Sequence, residues 1–267
     1  SLGRKVCRWS RLVSGGILSL TRLAAAEVSS LQDGVRAMEW QELLGPDGTL
    51  AVDVTGGNDA FRHSLFGARA VKDAVVDRFR DTFGRRPSVD LENPDLRINV
   101  RLRGVTAWIG VDLSGASLHK RGYRKDSVSA PLKENLAAAI LIYSGWPDLA
   151  RAGALFVDPM CGSGTFLIEA ALMAGNIAPG LTRSGFGFER LLDHDADAWR
   201  AQKDEALKLA QEGRAAIPKM YGFDADALAV RAARANIDAA GLSDVLLIEE
   251  SPIARLYPPE GELGLVV

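Results

Sequence analysis

Apolar and polar residues alternate with two different periods in the first half of the chain. In residues 68–83 the apolar side chains recur at helical spacing, which predicts an amphipathic helix that ends at Gly84. Residues 98–102 and 105–111 instead alternate apolar with polar positions, as half-buried strands do. The turn between them, at Arg103-Gly104, predicts a hairpin.

Two other stretches complete the first half. Residues 50–56 have the pattern of a further short strand, whereas residues 11–44 mix helical and strand signals whose order cannot be read from the sequence. We therefore predict an α+β arrangement for this half of the chain.

The second half changes to strands that alternate with helices. Turn residues at 126–131 lead into an alanine-rich helix over 132–145. The units that follow are a strand at 154–158, a helix at 163–175, a strand at 219–224, a helix at 225–241, a strand at 245–250 and a last apolar strand at 261–267. This order is typical of a doubly wound parallel sheet. We therefore predict two domains, residues 1–125 and 126–267.

The composition is typical of a soluble globular protein, and the length is sufficient for two domains. The 267 residues are 47% apolar and 25% charged. No apolar run approaches the roughly 18 to 20 residues that span a bilayer, and the N-terminus has no secretory signal. We therefore expect a cytoplasmic protein without membrane contact.

Charge divides the chain into a basic half and an acidic half. Residues 1–126 contain 20 Lys+Arg and 15 Asp+Glu, which gives a net charge of about +5. The remaining residues contain 12 Lys+Arg and 19 Asp+Glu, which gives a net charge of about −7. Basic clusters can follow a phosphate backbone, which makes the first half a candidate RNA surface, although arginines scattered over a solvated face would explain the same charges. The candidate RNA-binding residues are Arg85, Arg86, Arg97, Arg101, Arg103, Lys120, Arg121, Arg124 and Lys125.

The turn after the strand at 154–158 is a candidate ligand loop. It reads DPMCGSGT, and its glycines would let the backbone approach a ligand closely. It lacks the lysine of a phosphate-binding P-loop and the G-x-G-x-x-G of a dinucleotide site. Asp224 ends the next strand, where a carboxylate can accept hydrogen bonds from two ribose hydroxyls, whereas Asp226 fits a helix cap. A nucleoside without phosphate, such as S-adenosylmethionine, fits this pair of turns.

The chain has two cysteines, Cys7 and Cys161, far apart in sequence. This spacing does not indicate a disulfide or a zinc site, and we predict no metal. Cys161 lies in the loop, but none of the histidines lies near it in sequence to act as a base. We therefore predict a small buried side chain rather than a nucleophile.

Several long segments resemble one known family. DPMCGSGTFLIEAALMAGNIAPGL followed by GFDAD is similar to the methyltransferase domain of bacterial 23S rRNA guanine-N2 methyltransferases, in which an RNA-binding THUMP domain precedes the catalytic domain. The resemblance extends through VTGGNDAFRHSLFGARAVKDAVVDRF, RPSVDLENPDLRINVRL and VDLSGASLHKRGYRKDSVSAPLKENLAAAI, and covers most of residues 50–245.

The resemblance implies a fold, a reaction and a set of residues. It implies a THUMP-containing RNA-binding region at 1–125 and a partial Rossmann-like (class I) methyltransferase domain at 126–267, which transfers methyl from S-adenosylmethionine to guanine N2 in 23S rRNA or a ribosome assembly intermediate. Related THUMP enzymes methylate tRNA, and a small-molecule or protein methyltransferase or an inactive RNA-binding protein also stays open. The residues carried over to the cofactor are Asp158, Pro159, Met160, Cys161, Gly162, Ser163, Gly164 and Asp224.

The chain departs from the family in two places. Pro252 stands where the family has an acidic residue that meets adenine, so Glu249, Glu250 or a backbone carbonyl would have to substitute. The family's Asn-Pro-Pro-Tyr motif, which holds the guanine, is expected beyond Val267, so no catalytic residue is assigned. We therefore expect a chain truncated at both ends that does not turn over alone; the oligomeric state stays open.

Overall fold

Two β-sheets organise the chain, one in each half of the sequence. The structure is a computed structural model that describes residues 2–125, 131–257 and 263–267; most of the predicted turn at 126–131 lies outside the described residues. The elements of the first half are α1 Leu2–Trp9, β1 Ile17–Ala24, α2 Val28–Arg36, β2 Thr49–Gly57, α3 Ser64–Phe83, β3 Ser88–Val89, β4 Leu96–Arg103 and β5 Thr106–Asp112.

The first sheet is mixed and is covered by helices on one face. Its strand order is β1-β5-β4-β2-β3. Strand β5 is antiparallel to its neighbours β1 and β4, whereas β2 is parallel to its neighbours β4 and β3. Along β4 every second side chain, from Leu96 to Leu102, is buried in one core with residues of α2 and α3. The predicted α+β arrangement and hairpin are confirmed, and Gly84 ends α3 in the left-handed conformation with φ 67°.

The second sheet is parallel and has the predicted alternation. Its elements are α4 Glu134–Tyr143, α5 Trp146–Arg151, β6 Leu155–Asp158, α6 Thr165–Ala174, α7 Ala196–Gly213, β7 Met220–Asp224, α8 Ala227–Ala239, β8 Leu246–Glu250 and β9 Leu263–Val266. The strand order is β8-β7-β6-β9, and all pairs are parallel. Each residue of β6 is buried, as expected for a strand covered on both faces. The sequence pattern missed α7, which lies between α6 and β7.

The first hydrophobic core also draws residues from the second half of the chain. The core of the first half includes Phe186, Phe188 and Trp199, which follow α6 in the sequence. The ring centroids of Phe188 and Trp199 are 4.8 Å apart at 90°, and the guanidinium of Arg8 in α1 lies 3.8 Å from the centroid of the Trp199 ring. The segment after α6 therefore packs into the first core.

Arg183 fastens this segment to the connection after β5. Its guanidinium donates hydrogen bonds to four backbone carbonyls, those of Ser114, Ala116, Ser117 and Lys120. All four bonds come from the two terminal nitrogens of the guanidinium, so these carbonyls hold its outer end in place. Among the described residues, no helix combines the length and apolar character needed to cross a bilayer.

Close packing of α6 on β7 depends on Gly222. A Cβ atom at this buried position would lie 2.4 Å from Leu167 and 2.6 Å from Ile248. We expect Gly222→Ala to lower the free energy of unfolding by about 1–3 kcal/mol, because neither side chain can move without opening the core. Urea unfolding measures the effect. Gly185→Ala, where the nearest atom would be 3.7 Å away, is the matched control, and an equal loss in both variants would contradict this account.

Candidate functional site

The loop at 158–164 joins β6 to α6 at the carboxyl edge of the second sheet. The backbone N–H of Cys161 donates to the carbonyl of Phe223 over 2.8 Å, and the N–H of Gly162 donates to the Asp224 carboxylate over 2.9 Å. Gly162 and Gly164 have backbone φ values of 53° and 79°, which residues other than glycine rarely adopt. The structure thus brings the two predicted ligand turns together.

Asp224 has acceptor capacity left for a ligand. One carboxylate oxygen accepts from Gly162 N–H and the other from Asp226 N–H, each over 2.9 Å. Each oxygen can accept a further hydrogen bond, and the side chain is half-buried at the edge of the site. The Asp226 side chain accepts from Leu228 N–H over 2.9 Å and caps α8, as the sequence predicted.

Asp158 is a buried carboxylate without a cation beside it in the described part of the chain. It accepts one hydrogen bond, from Met160 N–H at 3.2 Å, and only 4% of the residue is exposed. Burial raises the pKa of Asp158 to about 6, and the negative charge of Asp224 adds to the shift. A positive group bound near both carboxylates would lower this cost.

The other loop residues have distinct surroundings. Cys161 is buried, and its pKa is raised to about 12 by burial and by the charges of Asp158 and Asp224, so the thiolate is not available as a nucleophile. This supports the interpretation of a small buried side chain. Met160 is exposed and Pro159 half-exposed, so these two face the solvent side of the loop.

Hydrogen bonds join the loop to Arg124 and, through Asn236, to Lys125, near the end of the first half. Arg124 donates to the hydroxyls of Ser163 and Thr165 and to the carboxylate of Glu134, each over 3.0 Å. Asn236 of α8 donates to the Ser163 carbonyl over 3.1 Å and accepts from Lys125 N–H over 2.8 Å. No sequence pattern predicted Glu134 or Asn236, because their roles depend on contacts between residues that are distant in sequence.

Two of the predicted RNA-binding residues, Arg121 and Arg124, form hydrogen bonds within the protein instead. The Arg121 side chain is 2% exposed, 3.4 Å from the Glu169 carboxylate, and donates to the carbonyl of Leu118 over 2.8 Å. The three guanidinium nitrogens of Arg124 donate to internal acceptors. Neither guanidinium can reach a phosphate without breaking these bonds, so the expectation of RNA contact is corrected for both.

The remaining predicted RNA-binding residues do not form one cluster. Arg85 pairs with Asp47 and Arg97 with Asp53, each over 2.9 Å. Arg101 and Arg103 are exposed and lie on the same face of β4. Outside β4, Arg86, Lys120 and Lys125 are exposed, and the paired Arg85 is exposed as well.

Pro252, where the sequence led us to expect a departure from the family, follows the end of β8. Pro252 is exposed and precedes a short 3₁₀ turn, whereas Glu250, at the end of β8, is paired in register with Asp224. An exposed carboxylate therefore lies on the strand beside Asp224. Within the described residues no three His, Cys, Asp or Glu side chains are grouped so as to hold a metal ion.

Comparison with known proteins gives two family matches. Residues 121–267 match the profile described as RMKL-like, methyltransferase domain, and residues 25–112 match the THUMP domain. Ribosomal RNA large subunit methyltransferase K/L of Methylococcus capsulatus is 51% identical over 98% of this chain and 36% of its own length. The protein of the same name from Cellvibrio japonicus is 48% identical over 97% of this chain and 35% of its own length. The chain thus spans about a third of the length of these curated relatives.

Solved structures with the same fold include methyltransferases. SMU.472, assigned as a methyltransferase and complexed with SAH, is 31% identical with a TM-score of 0.84 over 98% of this chain and 68% of its own. A Listeria monocytogenes protein assigned as an N6-adenine-specific DNA methylase is 29% identical, with a TM-score of 0.85. The match covers 99% of this chain and 67% of that protein.

Removal of the Asp158 charge is expected to stabilise the folded protein at neutral pH. Because its folded pKa of about 6 lies above the usual 3.8, the ionised side chain opposes folding above pH 6, and the effect fades as the pH falls towards 4. We expect Asp158→Asn to raise the free energy of unfolding by about 1–3 kcal/mol at pH 7 and to leave it nearly unchanged at pH 4. Urea unfolding at both pH values measures this.

The exposed Asp204 in α7 provides the control for this charge change. Asp204→Asn should alter stability by less than about 0.5 kcal/mol at either pH. A gain from Asp158→Asn that is equally large at pH 4 would contradict the assigned pKa.

Proposed function

This chain belongs to the RMKL-like methyltransferase family and carries a THUMP domain, and we propose that it forms the cofactor-binding and RNA-binding portion of an enzyme that methylates guanine N2 in 23S rRNA. The observation that carries the proposal is the junction of the loop at 158–164 with Asp224 at one sheet edge. Ligands of open α/β sheets bind outside the carboxyl ends of the strands, where this junction lies.

The arrangement of charges and acceptors fits S-adenosylmethionine. The free acceptor positions of Asp224 suit the two ribose hydroxyls, and the buried Asp158 suits the positive charge of the methionine end. The similar SMU.472 was complexed with SAH, the demethylated form of this cofactor. The cofactor supplies a methyl group that its positive sulfur has already activated.

The protein's own residues hold and orient the cofactor. Gly162 keeps the loop close to Asp224, and Arg124 donates to Ser163 and Thr165 around the start of α6, so the loop is held in place without a ligand. A fixed position for the methyl donor lowers the entropic cost of an in-line transfer. No proton transfer is assigned to any of these residues.

The proposed substrate rests on the relatives and on the basic first half. The curated relatives are named as methyltransferases of large-subunit ribosomal RNA. A guanine in folded RNA has to be unpaired or flipped out before its amine can react. We place the RNA-binding region at 1–125 and the methyltransferase region at 126–267, acting on 23S rRNA or an assembly intermediate in the cytoplasm. A tRNA substrate and, because of Pro252, an inactive RNA-binding protein are the alternatives.

Calorimetric titration of S-adenosylmethionine tests the cofactor site. We expect Asp224→Asn to weaken binding about tenfold or more, because a neutral amide replaces the charged acceptor of both hydroxyls. Asp238→Asn, which changes an exposed carboxylate on α8, should bind like the parent. Equal affinity in all three proteins would refute the ribose assignment, and no binding by the folded parent would refute the cofactor.

A chimera tests the reaction and its substrate. These 267 residues would replace the matching segment of the Methylococcus capsulatus relative, with radioactive methyl transfer measured on unmodified 23S rRNA, tRNA and DNA. N2-methylguanosine in 23S rRNA, lost in the Asp224→Asn chimera, is the expected product. Methylated tRNA or DNA instead would reassign the substrate, and an inactive chimera that still binds RNA would favour the inactive alternative.

A further inference from the structure

An aromatic side chain stands between two arginines on the open face of the first sheet. Trp108 in β5 is paired in register with Arg22 in β1 and with Arg101 in β4. Side chains of registered pairs project to the same face. Ala107 and Ile109, the neighbours of Trp108 in the strand, are buried on the opposite, helix-covered face. Trp108 therefore lies on the face without helices.

Trp108 lines a groove on that face. The groove also contacts Ile17 and Ser19 of β1 and Asn99, Arg101 and Arg103 of β4. We call these residues together with Arg22 the Trp108 face. The Arg22 guanidinium lies 5.8 Å from the centroid of the tryptophan ring, and the ring is partly exposed. Ser19 and Asn99 add hydrogen-bonding side chains to an otherwise aromatic and cationic surface.

The positive charges of the Trp108 face are not neutralised by neighbouring carboxylates. Within the described residues, Arg22, Arg101 and Arg103 form no ion pair, whereas Arg97, on the same strand, pairs with Asp53. Three unpaired guanidinium groups around a partly exposed indole favour an anionic partner that also has flat apolar surfaces.

We propose that the Trp108 face binds single-stranded RNA, with one unpaired base stacked on Trp108 and the adjacent phosphates held by Arg22, Arg101 and Arg103. The inference rests on the proposed RNA substrate and adds where, and in which form, the RNA is held. Single-stranded nucleic acid is bound by this combination because every base has a face that stacks and every nucleotide carries one negative charge. A duplex hides its bases, so the tryptophan selects unpaired segments.

Fluorescence anisotropy with two labelled probes tests this assignment in the whole chain. One probe is a 12-nucleotide oligouridine, and the other is an abasic strand of the same length and charge. We expect the parent to prefer oligouridine and Trp108→Ala to weaken oligouridine binding roughly 5- to 150-fold, with little effect on the abasic strand. Trp108→Phe should retain most of the preference, since phenylalanine also stacks.

Arginine and tyrosine variants separate charge from stacking. Arg101→Gln should weaken both probes alike and reduce the slope of log affinity against log salt by about 0.7, the value for one phosphate contact on a single strand. Tyr143→Ala removes an aromatic side chain that is 94% exposed in the other half and should leave both affinities unchanged. A matching loss in the tyrosine variant would mean non-specific stacking and would overturn the assignment.

The results separate this inference from the proposed function. If Trp108→Ala keeps the full preference for oligouridine, or if the parent shows no preference, RNA binding by the Trp108 face is refuted. Cofactor binding and methylation by the chimera are not affected by that result. If the cofactor titration and the chimera fail while the tryptophan effect is present, the reaction is wrong and the RNA surface stands.

Discussion

The buried carboxylate of Glu169 in α6 joins the two halves of the chain. Arg121 lies 3.4 Å from it, and the Tyr123 hydroxyl donates to it over 3.2 Å. Burial raises the pKa of Glu169 despite the attraction of Arg121 and Arg11, and burial lowers the pKa of Arg11 to about 10. Loss of one partner from such a group leaves an uncompensated charge in the interior, which typically costs about 3–5 kcal/mol. The cluster therefore fixes where α6 can lie.

The position of α6 determines the position of the cofactor loop. Gly164 is the N-cap residue directly before the helix, and Arg124, three residues after Arg121, donates to the hydroxyls of Ser163 and Thr165. One short connecting segment thus anchors the helix through Arg121 and the loop through Arg124.

Local patterns predicted the elements well because those patterns are set by neighbours in the sequence. The alternation in β4, the glycine at the end of α3 and the turn before α6 each follow from period or backbone conformation. Burial of Arg121 could not be predicted in the same way, since Arg121 belongs to the same basic stretch as Lys120 and Lys125, which are both exposed. Its partner Glu169 is 48 residues away. The aromatic residues Phe186 and Trp199 were missed for the same reason.

The aromatic residues that follow α6 also determine how the chain can come apart. A first half released at residue 125 would lose Phe186, Phe188 and Trp199 from its core and would present a large apolar hollow to water. The core of the first sheet therefore depends on a segment from the second half of the chain. The order of synthesis adds a constraint, because the first sheet has to wait for the segment after α6 before its core can close.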